Sequence, residues 1–186
     1  MITKTDLEKL DSKVPKIRYG FAKELLKICS QNPEQLYEHF DYWVELMASN
    51  NNILKWTAID IIGYLSAVDK ENKIDNKIKD LIQFLHSGVL ITCNHSIFAL
   101  GLISQNKPEY KDKIIKELLA ISQDEFATSE CKNIAIGKVL ETIKPFVADI
   151  KTDKYVREFI ENATKSERNS TKKKAEQLLK KIEKQI

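Results

Sequence analysis

Glycine and proline are scarce in this chain, with five Gly and four Pro among 186 residues. An all-β domain needs turn residues about every 8–12 positions, so too few are available to punctuate one. Cysteine is scarcer still. Cys29, Cys93 and Cys131 are odd in number and widely separated, and no Cys-x-x-Cys occurs. That excludes a disulfide framework and a zinc site as readings of the sequence. Long apolar runs are missing too: stretches such as Val89-Leu90-Ile91 fall far short of the ~20 residues that cross a bilayer. The opening residues Met1-Ile2-Thr3-Lys4-Thr5-Asp6 carry no apolar signal core. The expectation is a soluble, intracellular protein in a reducing cytoplasm, with no membrane partner.

Residues that carry chemistry are just as thin. No two histidines stand at i and i+4, no acidic cluster joins them, and the glycines are scattered rather than gathered into a phosphate loop. Cys93 and His95 are close in sequence, and His86 precedes them, but positions two apart on a helix point about 200° from each other. The pattern implies a packed thiol and an exposed or hydrogen-bonded imidazole. Neither a catalytic constellation nor a cofactor or metal site is expected.

What the chain does have is helix-forming composition, 42% hydrophobic and 31% charged, rich in Leu, Ile, Lys, Glu and Ala. It also repeats. Taking Arg18, Lys55, Cys93, Lys132 and Lys172 as markers, the spacings are 37, 38, 39 and 40 residues. Three and seven places after each marker stand Phe21 and Leu25, Ala58 and Ile62, Ser96 and Leu100, Ala135 and Val139, Ala175 and Leu179. Those positions form one face of a helix, with Ser96 its only polar member. A second set of stripes lies between: Leu36, Phe40, Trp43, Val44 and Met47; Ile74, Ile78, Leu81, Ile82 and Leu85; Ile114, Ile115, Leu118 and Leu119; Tyr155, Val156, Phe159 and Ile160. Asn32-Pro33-Glu34 and Lys107-Pro108-Glu109 mark helix starts. Each set alone leaves an apolar face in water, whereas stacked antiparallel hairpins share one core.

These segments resemble HEAT repeats, whose inner helix carries a Val-Arg-x-x-Ala-x-x-x-Leu-Gly type of pattern. Ile17-Arg18, Leu54-Lys55 with Ala58 and Ile62-Gly63, and Leu100-Gly101 carry the likeness. The resemblance implies an all-α fold, an α-α superhelix (right-handed solenoid) of about five antiparallel helix hairpins. The chain would be one domain, residues 1–186, with repeats at about 1–31, 32–69, 70–106, 107–145 and 146–186. Where the family prefers an Asp six residues before the Arg, this chain has Ser12, Ser49, Ser87, Phe126 and Ser166. Serine can still accept from a helix N-terminal amide, but an Asp-to-Arg ladder is not expected.

The resemblance places the concave surface on the second helix of each pair. Positions two, five and nine after the marker turn away from the apolar stripe, and from them Lys23, Lys27, Tyr64, His95, Phe98, Leu102, Glu141, Lys174 and Lys181 are the candidate partner-binding residues. Phe98 and Leu102 are expected to be buried, because large apolar side chains are usually inside, with an exposed docking patch as the alternative. Of the aromatic group near them, Phe40 and Trp43 belong to the core, while Tyr42 and Trp56 are candidates for partial exposure.

Charge supplies the rival reading. The formal charge is +3, but residues 164–186 hold eight Lys or Arg against three Glu, a local net of +5, leaving the rest at −2. The first expectation is a non-enzymatic scaffold or adaptor that holds a protein or peptide. The alternative is nucleic-acid binding through Lys16, Arg18, Lys23, Lys27, Lys132, Lys138 and Lys172 to Lys174 and the basic C-terminal helix. A DNA-glycosylase-like enzyme using Asp60 beside Trp56 and Tyr64 is a third.

Overall fold

The computed structural model describes residues 2–184. Helix makes up 79% of the chain, and no strand occurs among the described residues. The α-helices are α1 (Lys4–Leu7), α2 (Pro15–Gln31), α3 (Glu34–Tyr37), α4 (Phe40–Met47), α5 (Asn52–Leu65), α6 (Ile78–Leu85), α7 (Leu90–Asn106), α8 (Lys111–Ala120), α9 (Ser129–Ile143), α10 (Val147–Ile150), α11 (Lys154–Ala163) and α12 (Asn169–Glu183). No helix among the described residues is long and apolar enough to cross a membrane. Met1, Gln185 and Ile186, at the outer ends of the first and fifth expected repeats, lie outside the described residues.

The repeat markers fall at one place in the helices. Helices α2, α5, α7, α9 and α12 each begin three residues before their marker, so their starts are spaced by the same 37, 38, 39 and 40 residues. Each marker closes the same first turn: the N–H groups of Arg18, Lys55, Cys93, Lys132 and Lys172 donate to the carbonyls of Val14, Asn51, Val89, Thr128 and Arg168 at 2.9–3.2 Å. The serines before them act together as well. Ser12, Ser49, Ser87 and Ser166 each accept from the N–H two residues on, at 3.2, 3.1, 3.4 and 3.2 Å. They therefore shape the turn that leads into the helix, while side-chain capping falls to Asn51 on α5 and Thr128 on α9. Arg18 donates to the Ser12 carbonyl and to Tyr19, within its own repeat.

Nine of the ten expected inward positions on these helices are buried; Leu179 is half-buried. The intervening helices are less regular. Residues 34–47 form α3 and α4 rather than one helix, and 3-10 turns precede α6, α8 and α10. Their stripes are still largely buried, Leu36, Trp43, Ile74, Leu81 and Leu118 nearly completely. Tyr155 is the exception and a correction, at 74% exposed. Asp153 caps α11 through the N–H groups of Tyr155 and Val156, so Tyr155 lies in the first turn with no earlier turn to cover it. Phe40 and Trp43 are buried and Tyr42 and Trp56 half-buried, as their positions imply.

By contacts the chain divides into two compact units. One runs to Leu81 and takes in Phe98–Pro108; the other holds Ile82–Ile97 and continues from Glu109. In the first, α5 packs on α2 and α4. Gly63 makes a close approach possible, because a Cβ there would stand 2.7 Å from the Ala99 Cα. In the second, α12 packs on α9 and α11. Gly137 serves the same purpose against Thr171, whose Oγ1 would meet an added Cβ at 2.6 Å.

Candidate functional site

Helix α5 carries Trp56, Asp60 and Tyr64 at successive i+4 positions, so the three share a face, and each is half-buried. The face exists because the rest of the helix is committed to the core: Leu54, Ala58, Ile59, Ile61, Ile62 and Leu65 are all buried. On α7, Ile97, Leu100 and Ile103 take the inward positions in the same way. Phe98 and Leu102 are turned off that stripe. Phe98 is 39% exposed and Leu102 half-buried, which overturns the expectation that Phe98 lies inside. Its ring sits edge-on against Tyr64, with centroids 5.3 Å apart and planes at 72°. Burial, then the nearby Asp60 charge, pushes the Tyr64 phenol above its ordinary pKa, so it stands as a neutral hydroxyl. An apolar ring, a phenol and a carboxylate thus line one patch in the first unit.

The nine candidate residues are divided between the units. Lys23, Lys27, Tyr64, Phe98 and Leu102 are in the first, His95, Glu141, Lys174 and Lys181 in the second. Lys23, Lys27 and Lys181 are exposed and His95 is half-buried. Besides Tyr64 and Phe98, the structure brings together Glu141 and Lys174, at 2.7 Å, with Lys138 3.6 Å from the same carboxylate. Burial pushes the Glu141 carboxyl up, but the two lysines outweigh it and the net shift is downward.

The cysteines are packed rather than activated. Cys29 and Cys93 are fully buried, and burial pushes both thiols up to about 12. His86 turns both ring nitrogens to carboxylates, Nδ1 2.7 Å from Asp124 and Nε2 3.3 Å from Glu117. No group of three or more His, Cys, Asp or Glu among the described residues is arranged to hold a metal ion.

Two features have no counterpart in the sequence pattern. The first is a buried polar network in the first unit. Asp69, its side chain without solvent exposure, accepts from the Tyr37 hydroxyl (2.7 Å) and from the N–H groups of Lys73 (3.0 Å) and Ile74 (3.1 Å). Lys107, 6% exposed, reaches Asp69 at 3.0 Å, Asp75 at 2.8 Å and Asn72 at 2.9 Å. Burial opposes both charges, yet the hydrogen bonds prevail: the Asp69 carboxyl is held below its ordinary pKa and the Lys107 ammonium above. With its acceptors and donors matched internally, the network ties the end of α7 to the turns around Asp69.

The second is a cleft of about 990 Å³ in the second unit. One stripe from each of three helices lines it: Asp112, Ile115, Lys116 and Leu119 from α8, Asn133 and Ile136 from α9, and Tyr155, Glu158, Phe159 and Asn162 from α11. Where a tight helix pair would place bulk, this lining has Ala120, Ala163, Ser129 and Ser166. None of the nine candidate residues borders it. The helical spacing of its polar residues was the available signal, masked by the apolar stripe beside it.

No family model, no curated protein and no solved structure matches the chain.

Proposed function

We propose that the chain is a HEAT-like solenoid of five hairpins, a non-enzymatic scaffold that binds a protein or peptide on the face of its second helices, with the contact centred on Tyr64, Phe98 and Leu102. The observation that carries this reading is the exposure of Phe98, a large apolar ring left in water at 39% and braced by Tyr64 rather than withdrawn into the core. Exposed aromatic anchors of this kind contribute most of the affinity at protein interfaces. The five second helices that begin at one repeat position support the solenoid. Lys23 and Lys27, exposed on α2, are available to flank the anchor with positive charge.

Nucleic-acid binding is the weaker reading. Lys138 and Lys174, two of the lysines it needs, are already engaged by Glu141. The glycosylase reading asks for a carboxylate beside exposed aromatics, and the aromatics beside Asp60, Trp56 and Tyr64, are half-buried.

Affinity capture tests the proposal. Partners recovered by the native chain are expected to be lost with Tyr64→Ala combined with Phe98→Ala, while the unfolding midpoint stays near native. Undiminished recovery by a folded double variant counts against the site. A salt-sensitive shift of labelled DNA would restore the nucleic-acid reading.

A further inference from the structure

The second unit's cleft is bordered by none of Tyr64, Phe98 and Leu102, on which the proposed docking contact is centred. Its walls combine three chemistries. Ile115, Leu119, Ile136 and Phe159 provide apolar surface from three different helices. Asp112, Asp153, Glu158 and Glu167 line it against only Lys116 and Lys165, so the cleft is net negative in a chain whose formal charge is +3. Tyr155, 74% exposed, stands at its border with the ring in water. The Lys111–Asp149 ion pair, at 2.8 Å, holds the start of α8 beside α10. That places Asp112 toward the same end as Asp153 and Tyr155. Carboxylates beside an exposed aromatic ring suit an ammonium or guanidinium group, which donates charge-assisted hydrogen bonds to the carboxylates and makes a cation–π contact with the ring.

Volume narrows the occupant further. About 990 Å³ exceeds what a single side chain fills, lies at the upper end of ligand clefts and leaves room for a short peptide segment. The amide side chains of Asn133 on α9 and Asn162 on α11 each present donor and acceptor groups of the kind a peptide main chain satisfies, and Asn133 is already oriented by the Ser166 hydroxyl at 2.9 Å. We infer that this cleft is a second binding site, which takes a peptide segment of another protein bearing a Lys or Arg beside an apolar side chain. The cation sits at the Asp112, Asp153 and Tyr155 end, and the apolar group rests on Leu119, Ile136 and Phe159. The site is independent of the Phe98 patch, so failure of one leaves the other standing.

Panning a phage-displayed library of short random peptides on the full chain tests this. Enriched sequences are expected to share a Lys or Arg next to Leu, Ile, Phe or Trp. A synthetic peptide of that pattern, followed by fluorescence anisotropy, is expected to lose about tenfold or more in affinity with Tyr155→Ala combined with Glu158→Lys. Tyr64→Ala combined with Phe98→Ala should leave it unchanged. Both pairs alter exposed or half-buried side chains, and circular dichroism verifies that each variant is folded. Enrichment of acidic or uncharged sequences, no enrichment at all, or binding indifferent to the cleft variants would overturn the inference. So would cleft variants that change only the chain's own sedimentation, since the occupant would then be a second copy.

Discussion

In the first unit, Lys107 and Tyr37 both meet Asp69, with almost no solvent at the ion pair; in the second, Asp112, Glu158 and Tyr155 face an open cleft. Each setting has an aspartate and a tyrosine. What differs is whether partners are supplied from within the chain. Around Asp69 a tyrosine, a lysine and two backbone amides match the carboxylate internally, so the charge is held for structure. On the cleft walls small side chains leave space instead, and the polar groups point into it. Removing a partner should therefore be costly in the first setting and nearly silent for folding in the second.

The largest expected effect is at Lys107. Lys107→Met strands the Asp69 charge in a buried place and should lower unfolding free energy by about 3 kcal/mol, measured by urea denaturation. The same variant should flatten the pH profile. Asp69 is depressed, so its contribution is present above the ordinary carboxylate pKa of about 4 and is lost as pH falls through the depressed value. Lys107 is raised, so its contribution is present below about 10.4 and is lost as pH rises through the raised value. The native chain should keep the network's full contribution between those limits, and Lys107→Met should lose it throughout.

Two glycines sharpen the comparison at intermediate size. Gly63→Ala drives a Cβ to 2.7 Å from the Ala99 backbone and should cost about 1–3 kcal/mol. Gly20→Ala, in α2 with nothing within 4 Å of the added carbon, should stabilise by about 0.5–1 kcal/mol. Thermal denaturation of the two variants reads the opposite signs. The smallest effect is expected at Lys174→Ala, whose partner Glu141 is about half exposed; the loss should stay below about 1 kcal/mol and shrink further in salt.

The second helices were legible in the sequence because each is one uninterrupted run whose first turn is closed at the marker. Ser96 at an inward position was read correctly as buried for that reason. The first helices were less legible because they open in 3-10 or broken turns, where a spacing of three replaces 3.6 and the stripe shifts around the axis. Tyr155 was lost for another reason: it stands in the first turn of α11, just after the Asp153 cap. Lys107 was hidden differently: Lys107-Pro108 reads as the start of a helix, whereas the Lys107 N–H donates to the Ile103 carbonyl and closes the end of α7. Its partners lie 32 to 38 positions earlier, a separation that carries no local signal. Tyr64, Phe98 and Leu102 were placed on neighbouring rows by the HEAT resemblance together with their spacing, but exposure depended on which face the core had already filled.

Site-specific crosslinking from position 98 tests the central claim most directly. A photoreactive phenylalanine analogue in place of Phe98 should join covalently to a bound protein or peptide on irradiation, while the same analogue at Lys70, whose side chain is 82% exposed in the turn after α5, should give none. Equal yields from both positions, or no adduct from position 98 with a partner demonstrably bound, would contradict it.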